Sequence, residues 1–393
     1  MRILPLLSLL LVTGPAAAKD GWKLDLMAGA YGGAFDGLYT RTDSGGLAIV
    51  DAALEARLRT GDWMVTVDAD AGHVQRVGTD LNETRFAGAV EVESRISSRW
   101  RLGAFAGADY TYRPGWPDQY QRRQDGYMRP TDRFTHLDWD VGAFVVASTG
   151  RRAFLRLGYG FSSMAYVDDP NYDATDDPTH ITPKDSVLHH VHLSWRRLAE
   201  AWLLAIDLDL RRREYADVPA RDAVTGNSSG NPMEVFHQFE PGVELELKHL
   251  AERLDLSFRY AYEVQQDIWE GYYSYGGHNP RLIAELAITD HLSAEVKLEA
   301  WWRQYGPDSK RPSELEDGKQ RWDHRAEARG RLRWIFAGGL SAFGEVDYYV
   351  RETNYPDYVP GVNPPPPRLE YKYYDIDFDY ANLTAFAGIE YRR

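Results

Sequence analysis

Four groups of side chains in this sequence have the types and spacing for chemistry. His136, Asp138 and Asp140 alternate along one stretch, so in an extended chain they share a face. There a carboxylate beside an imidazole could take a proton from water. His192 and Ser194 alternate in the same way, a hydroxyl next to a candidate base. Asp168, Asp169, Asp173, Asp176 and Asp177 offer carboxylate oxygens of the kind calcium takes. They lack the spacing of a calcium loop and read as a solvated charged segment. The fourth group is a ladder of Arg325, Glu327, Arg329, Arg331 and Arg333 on alternate positions. Glu295, Lys297 and Glu299 precede it, and Glu345, Asp347 and Arg351 follow. Opposite charges on adjacent strands can pair and brace a wall.

The elements holding these groups are set by where the chain goes. Arg2, the apolar run from Ile3 to Val12, the Gly14-Pro15 break and Ala16-Ala17-Ala18 have the order of a secretory signal. Residues 1–18 are therefore expected to be cleaved, and 19–393 to form one domain. The run is too short to span a bilayer as a helix. Mean hydropathy is −0.50 and no later stretch is apolar for eighteen residues, which excludes helical spans. The sequence holds no cysteine, so neither a disulfide framework nor a lipidated cysteine is available. Its net charge of −14 leaves no basic stripe for phosphates, and no nucleic-acid partner is expected.

Past the signal, apolar and polar residues alternate with the period of strands. Ala48, Val50, Ala52, Leu54, Ala56 and Leu58 share one face, opposite Asp51, Glu55, Arg57 and Arg59. Trp63, Val65, Val67, Ala69 and Ala71 resume the pattern after Gly61-Asp62. Repeating units of this kind predict sixteen strands. The first is at 22–32 and the last lies within 371–391, where a change of phase between Tyr380 and Leu383 suits a bulge; an extra hairpin there would make eighteen. Connections around Gly61, Ser98, Gly150, Ala199, Ala251, Asp290 and Ala337 are tight. Those at 33–46, 74–83, 113–133, 162–184, 214–234, 266–280, 304–320 and 352–369 are long, and the two kinds alternate.

Aromatic placement separates a membrane barrel from a soluble sandwich. On the apolar face, Trp63, Trp100, Trp195, Trp202, Trp334 and Tyr391 lie at the short-turn end. Tyr110, Tyr112, Tyr159, Phe161, Tyr260, Tyr262, Trp302 and Tyr348 lie at the long-loop end. Two girdles around an aliphatic band are what two membrane interfaces select. The chain thus resembles the bacterial outer-membrane β-barrel class, porin-like proteins included. The fold expected is all-β: an antiparallel, up-and-down transmembrane barrel with short periplasmic turns and long outer loops. Such barrels commonly finish on an aromatic residue, whereas here Arg392-Arg393 follow Tyr391.

Within that class the catalytic groups lose ground. His192-x-Ser194 resembles the pair of outer-membrane phospholipases, but there the pair faces lipid near the outer rim, and here it falls mid-lumen. Asp138 and Asp140 resemble the paired aspartates of outer-membrane proteases, which also need a His–Asp pair across the cleft, and no second strand supplies a clear one. No enzyme, metal or cofactor is expected. The expected function is a pore for hydrophilic solutes, with saccharide uptake or polysaccharide export as the finer reading. Polysaccharide-export barrels are similar in kind, with an arginine-rich, partly acidic lumen. The charged lumen lining would comprise Arg57, Asp68, Asp70, Glu91, Glu93, Asp138, Asp140, Arg156, Asp207, Asp209, Glu295, Glu299, Arg325, Arg329, Arg331, Arg333, Glu345 and Asp347. Trp116, Tyr120, Trp269, Tyr272, Tyr273 and Tyr275 are loop rings suited to pyranose faces. The alternative is a non-conducting barrel whose loops bind a surface polymer or partner. Expected partners are outer-membrane lipid and lipopolysaccharide, with saccharides or a periplasmic export partner.

Overall fold

The computed structural model describes residues 21–36, 44–77, 82–113, 116–122, 128–131, 135–166, 185–222, 230–250, 253–306, 321–353 and 380–392. The signal segment, the acidic stretch at 168–177 and residues 371–379 lie outside them. Sixteen antiparallel strands close into one barrel. They are β1 (Gly21–Asp36), β2 (Ser44–Thr60), β3 (Trp63–Val77), β4 (Asn82–Arg95), β5 (Trp100–Tyr112), β8 (His136–Gly150), β9 (Ala153–Tyr166), β10 (Ser186–Leu198), β11 (Trp202–Pro219), β12 (Met233–Leu250), β13 (Leu254–Asp267), β14 (Tyr275–Ala287), β15 (Leu292–Tyr305), β16 (Trp322–Ile335), β17 (Leu340–Thr353) and β18 (Tyr380–Arg392). Each pairs with its neighbours in sequence, as an up-and-down order requires. The short hairpin β6 (Trp116–Arg122) and β7 (Met128–Thr131) forms a separate two-stranded sheet in the connection from β5 to β8.

Closure comes from β1 pairing with β18. The seam needs glycine: a Cβ on Gly33 would lie 2.0 Å from the Ala385 carbonyl oxygen, and one on Gly388 2.3 Å from the Tyr31 Cβ. The last strand therefore carries the pairing itself, and among the described residues the ring is complete at sixteen.

The short turns use local side-chain chemistry. Ser97 Oγ accepts from the backbone N–H groups of Arg99 and Trp100, both at 3.2 Å. Thr289 Oγ1 does the same for His291 at 3.2 Å and Leu292 at 3.0 Å. A hydroxyl that satisfies two turn amides fixes the hairpin and its register.

The outward face is apolar and unpartnered by protein: Val50 is 58% exposed, Ile206 52%, Leu332 55% and Ile389 55%. In water such a surface would aggregate; in lipid it is the solvent-facing surface. Its height fits. Trp100 and Tyr110 bound the band on β5, and ten residues at about 3.4 Å rise and about 40° tilt span roughly 26 Å, the thickness of a barrel's apolar belt. The largest fully enclosed side chains among the described residues are polar and face inward: Asp323 is 1% exposed and Ser341 0%.

This assignment of faces gives a test. Ala106→Arg places a charge on the lipid face at mid-height on β5, and should cost about 2–4 kcal/mol, whereas Tyr112→Arg at the outer girdle should cost about 0–1 kcal/mol. Reversible urea unfolding of the barrel in phospholipid vesicles measures both, and equal costs would reverse the assignment.

Candidate functional site: the charged lumen

The charged side chains expected to line the lumen alternate along their strands with exposed apolar ones, and the ion pairs show which of them meet. On β15 to β17 the ladder is braced. Arg329 Nη2 lies 3.2 Å from Glu295 Oε1, Lys297 Nζ 2.9 Å from Glu299 and 3.0 Å from Glu327, and Arg331 Nη1 3.5 Å from Glu345. Arg325 and Arg351 converge on Asp323 at 3.0 and 2.8 Å. Arg333 donates to Ser341 Oγ at 3.0 Å and lies 3.5 Å from Glu390. Asp347 sits opposite Arg329 in register, with one buried carboxylate oxygen left without a hydrogen bond.

Several arginines reach over an intervening strand. Arg331 pairs with Glu390 across β17, Arg303 with Glu263 across β14 at 3.1 Å, and Arg281 with Glu244 across β13 at 3.5 Å. Arg156 reaches furthest, from β9 over β8 and β5 to Glu91 at 3.2 Å. Its guanidinium lies 3.7 Å over the Phe144 ring. That ring in turn lies flat on Gly103, where a Cβ would come within 2.2 Å of it. Inward side chains converge because the wall is concave, and a long planar fork with several donors exploits that convergence.

The opposite sector differs. Arg57 pairs with Glu55, and Glu93 with Arg101 at 2.9 Å. Among the described residues, however, Asp68 and Asp70 on β3 and Asp138 and Asp140 on β8 have no ion-pair partner within 4.0 Å. Asp70, Asp109 and Asp138 fall in one cross-strand row through the Asp70–Ala87, Ala87–Asp109 and Asp109–Asp138 pairings. Of the three, Asp109 is neutralised by Arg85. In the ring order β8 and β16 are eight strands apart by either route, hence diametrically opposed. Unpaired carboxylates thus face an arginine-rich strand across the lumen.

The catalytic arrangements do not assemble. The His136 ring packs on Tyr166 at 5.1 Å. The structure does supply His–Asp contacts that the linear sequence did not reveal: His190 and His192 both donate to Asp209, at 2.6 and 2.8 Å. The signal was there as His190-x-His192 on β10 beside Asp207-x-Asp209 on β11, but pairing them required the register His192–Asp209. These imidazoles stand two strand spacings of about 4.8 Å from the Asp138–Asp140 strand, too far to polarise one water together. Ser194 accepts from Arg196 rather than from His192.

The loop rings are redistributed too. β14 begins at Tyr275, because its pairing with β15 runs on to Tyr305, so Tyr275 is a wall residue and not a loop residue. Its hydroxyl donates to Glu263 at 2.8 Å. Tyr272 is 3% exposed and packs edge-on against Tyr273. Trp269 stays open, at 48%. Trp116 and Tyr120 belong to β6, and their side chains lie outside the described residues.

No protein-family profile and no curated protein matches the sequence. Solved structures do. The outer membrane channel DcaP of Acinetobacter baumannii aligns with a TM-score of 0.51 and 9% identity, over 95% of this chain and 98% of that one. OccAB4 of Acinetobacter baumannii gives 0.44 and 10%, over 96% and 99%. OccK2 of Pseudomonas aeruginosa, solved with glucuronate, gives 0.44 and 10%, over 94% and 98%. At such identities the likeness is one of fold, that of a bacterial outer-membrane β-barrel.

Asp323 offers a check on the braced sector. Removing its carboxylate by Asp323→Ala leaves two guanidinium groups facing each other. The loss should be roughly 3 kcal/mol, at the low end for a broken buried pair because both arginines touch lumen water. Arg329→Gln breaks a pair in which both side chains are about one-third exposed and should cost under about 1 kcal/mol. Urea unfolding midpoints of the two variants give the comparison.

Proposed function

We propose that this barrel is a passive outer-membrane channel for hydrophilic solutes. The observation that carries the proposal is the state of the inward charges. Arg156, Arg329, Arg331 and Arg333 keep between 23% and 34% of their side-chain surface open, although each is ion-paired. Charges packed into a filled interior would be far more enclosed. A ring of sixteen strands is wide enough for a water column.

The charge pattern supports a preference within that class. Free carboxylates on β3 and β8 favour cations and orient polar neutral solutes, while neutralised arginines on the far wall add little net repulsion. Saccharides, taken up or exported as polymer, fit the same proposal through rings at the entrance. Of the six candidates Trp269 is the one with an exposed ring among the described residues. It is also what favours a second reading, a barrel that holds a surface glycan through its outer loops without conducting.

Planar-bilayer recording separates these. A channel gives stable conductance steps, and in a potassium chloride gradient a reversal potential of cation-selective sign. Asp138→Asn with Asp140→Asn should lower the cation-to-anion permeability ratio a few-fold, since a unit charge is worth about 1 kcal/mol at 4 Å even in water. Liposome swelling with neutral sugars tests the saccharide reading. A silent bilayer together with glycan binding lost in Trp269→Ala would instead support the surface-binding reading.

A further inference from the structure

The lumen face of β10 and β11 holds a cluster that solute passage does not explain. His190, His192 and Asp209 each offer one ligand atom, and the three atoms lie within 4.8 Å of one another. We propose that this cluster is a binding site for a divalent transition-metal ion, with zinc as the representative case.

The donor set has the required chemistry. Two imidazoles and a carboxylate are three of the ligands that first-row divalent ions take, and a water from the lumen would complete a tetrahedron. Backbone register supplies the geometry. His190 and His192 are alternate residues of one strand and so share a face, and Asp209 is the direct cross-strand partner of His192. The carboxylate oxygen is now 2.6 and 2.8 Å from the two nitrogens. Tetrahedral ligands at about 2.05 Å from zinc are about 3.3 Å apart, so the carboxylate oxygen must draw back by roughly 0.5–0.7 Å and the two nitrogens close by at most about 1.5 Å, within reach of side-chain rotation. The site is reachable, since the two histidine side chains are 33% and 29% exposed toward the lumen.

A second, independent feature points the same way. Asp207 is 8% exposed, and its Oδ1 has no hydrogen-bond partner, an expensive state for a carboxylate. That oxygen lies 3.9 Å from His192 Nε2. Without a metal, the His192 proton sits on Nδ1 and points at Asp209. Once Nδ1 gives its lone pair to a metal, the proton must sit on Nε2, where it faces Asp207 Oδ1. Metal binding thus creates the donor that the orphaned acceptor lacks. This is the carboxylate–histidine–metal relay by which such sites orient their ligands.

The local charge agrees. Asp207, Asp209 and Glu240 are set against Arg211, which lies 3.6 Å from Asp209 and 3.3 Å from Glu240, and Arg259, 3.0 Å from Glu240. Of these three carboxylates Asp207 has no guanidinium within 4.0 Å among the described residues, so its charge remains for a cation. The proposal does not depend on whether the lumen conducts.

The test is calorimetric titration of zinc chloride into the refolded, untagged barrel in detergent. One ion should bind per chain, saturably. His190→Ala with His192→Ala, or Asp209→Asn, should weaken binding more than tenfold, and Asp207→Asn about tenfold through loss of the relay. His189→Ala, on the lipid side of the same strand, should leave it unchanged. Far-UV spectra confirm that each variant folds. Should Asp209→Asn fail to fold, the double histidine variant decides. Cobalt provides a separate readout, as visible absorption bands that disappear in the double histidine variant. Absence of saturable binding in the parent, or binding of unchanged strength in the double variant, overturns the site.

Discussion

The barrel depends on one constraint: in hydrocarbon no backbone N–H or C=O can be left without a partner. A sheet with edges cannot meet it, and a closed sheet can. The seam between β1 and β18 is therefore the join on which every other pairing relies, and it explains why glycines sit where the two strands meet. Once the ring closes, the alternation of side chains divides the protein into a lipid face and a water face. All later chemistry belongs to the second.

Closure also shapes that chemistry. Side chains on a concave wall converge, and carboxylates two or even three strands away come within reach of a single arginine. Arg156 shows what this requires. Gly103 leaves room for Phe144 to lie flat, Phe144 gives the guanidinium a surface to stack on, and the head group ends on Glu91. Such bracing does not depend on a dry core. It is made at the boundary with water, where each pair is individually modest and a network matters more than any member. Asp323 is the exception, enclosed enough that two arginines are needed to hold its charge.

Much of this was legible in the sequence and some was not, for a physical reason. Period-two alternation, the two girdles and the alternating loop lengths each follow from forces that act on a strand and its immediate turn. Trp100, Tyr110, Val50 and Trp334 could thus be placed on the lipid face without a partner strand in view. Which charges meet is another matter. The pairing of Arg331 with Glu390, or of Arg156 with Glu91, depends on register and curvature together, and neither is written in any local window. Tyr275 illustrates the same limit: β14 starts there because β15 offers a partner as far as Tyr305, while the glycines that follow Tyr275 suggest a loop. His190 and His192 became a site only when register set Asp209 beside them.

Bracing and function divide the lumen between them. A charge that is paired fixes the wall and offers a solute little, whereas an unpaired carboxylate is costly to the fold and available to whatever passes. The arginine ladder, which stands out first in the sequence, is of the former kind, because each guanidinium is bound to an acid. Asp68, Asp70, Asp138 and Asp140 are of the latter, and so is Asp207 with its unsatisfied oxygen. In a lumen lined throughout by both signs, selectivity follows from which charges the wall leaves uncompensated, not from which are most numerous. For the channel proposed here, that criterion would make the acidic sector the recognising surface and the arginines the scaffold that holds the wall opposite it.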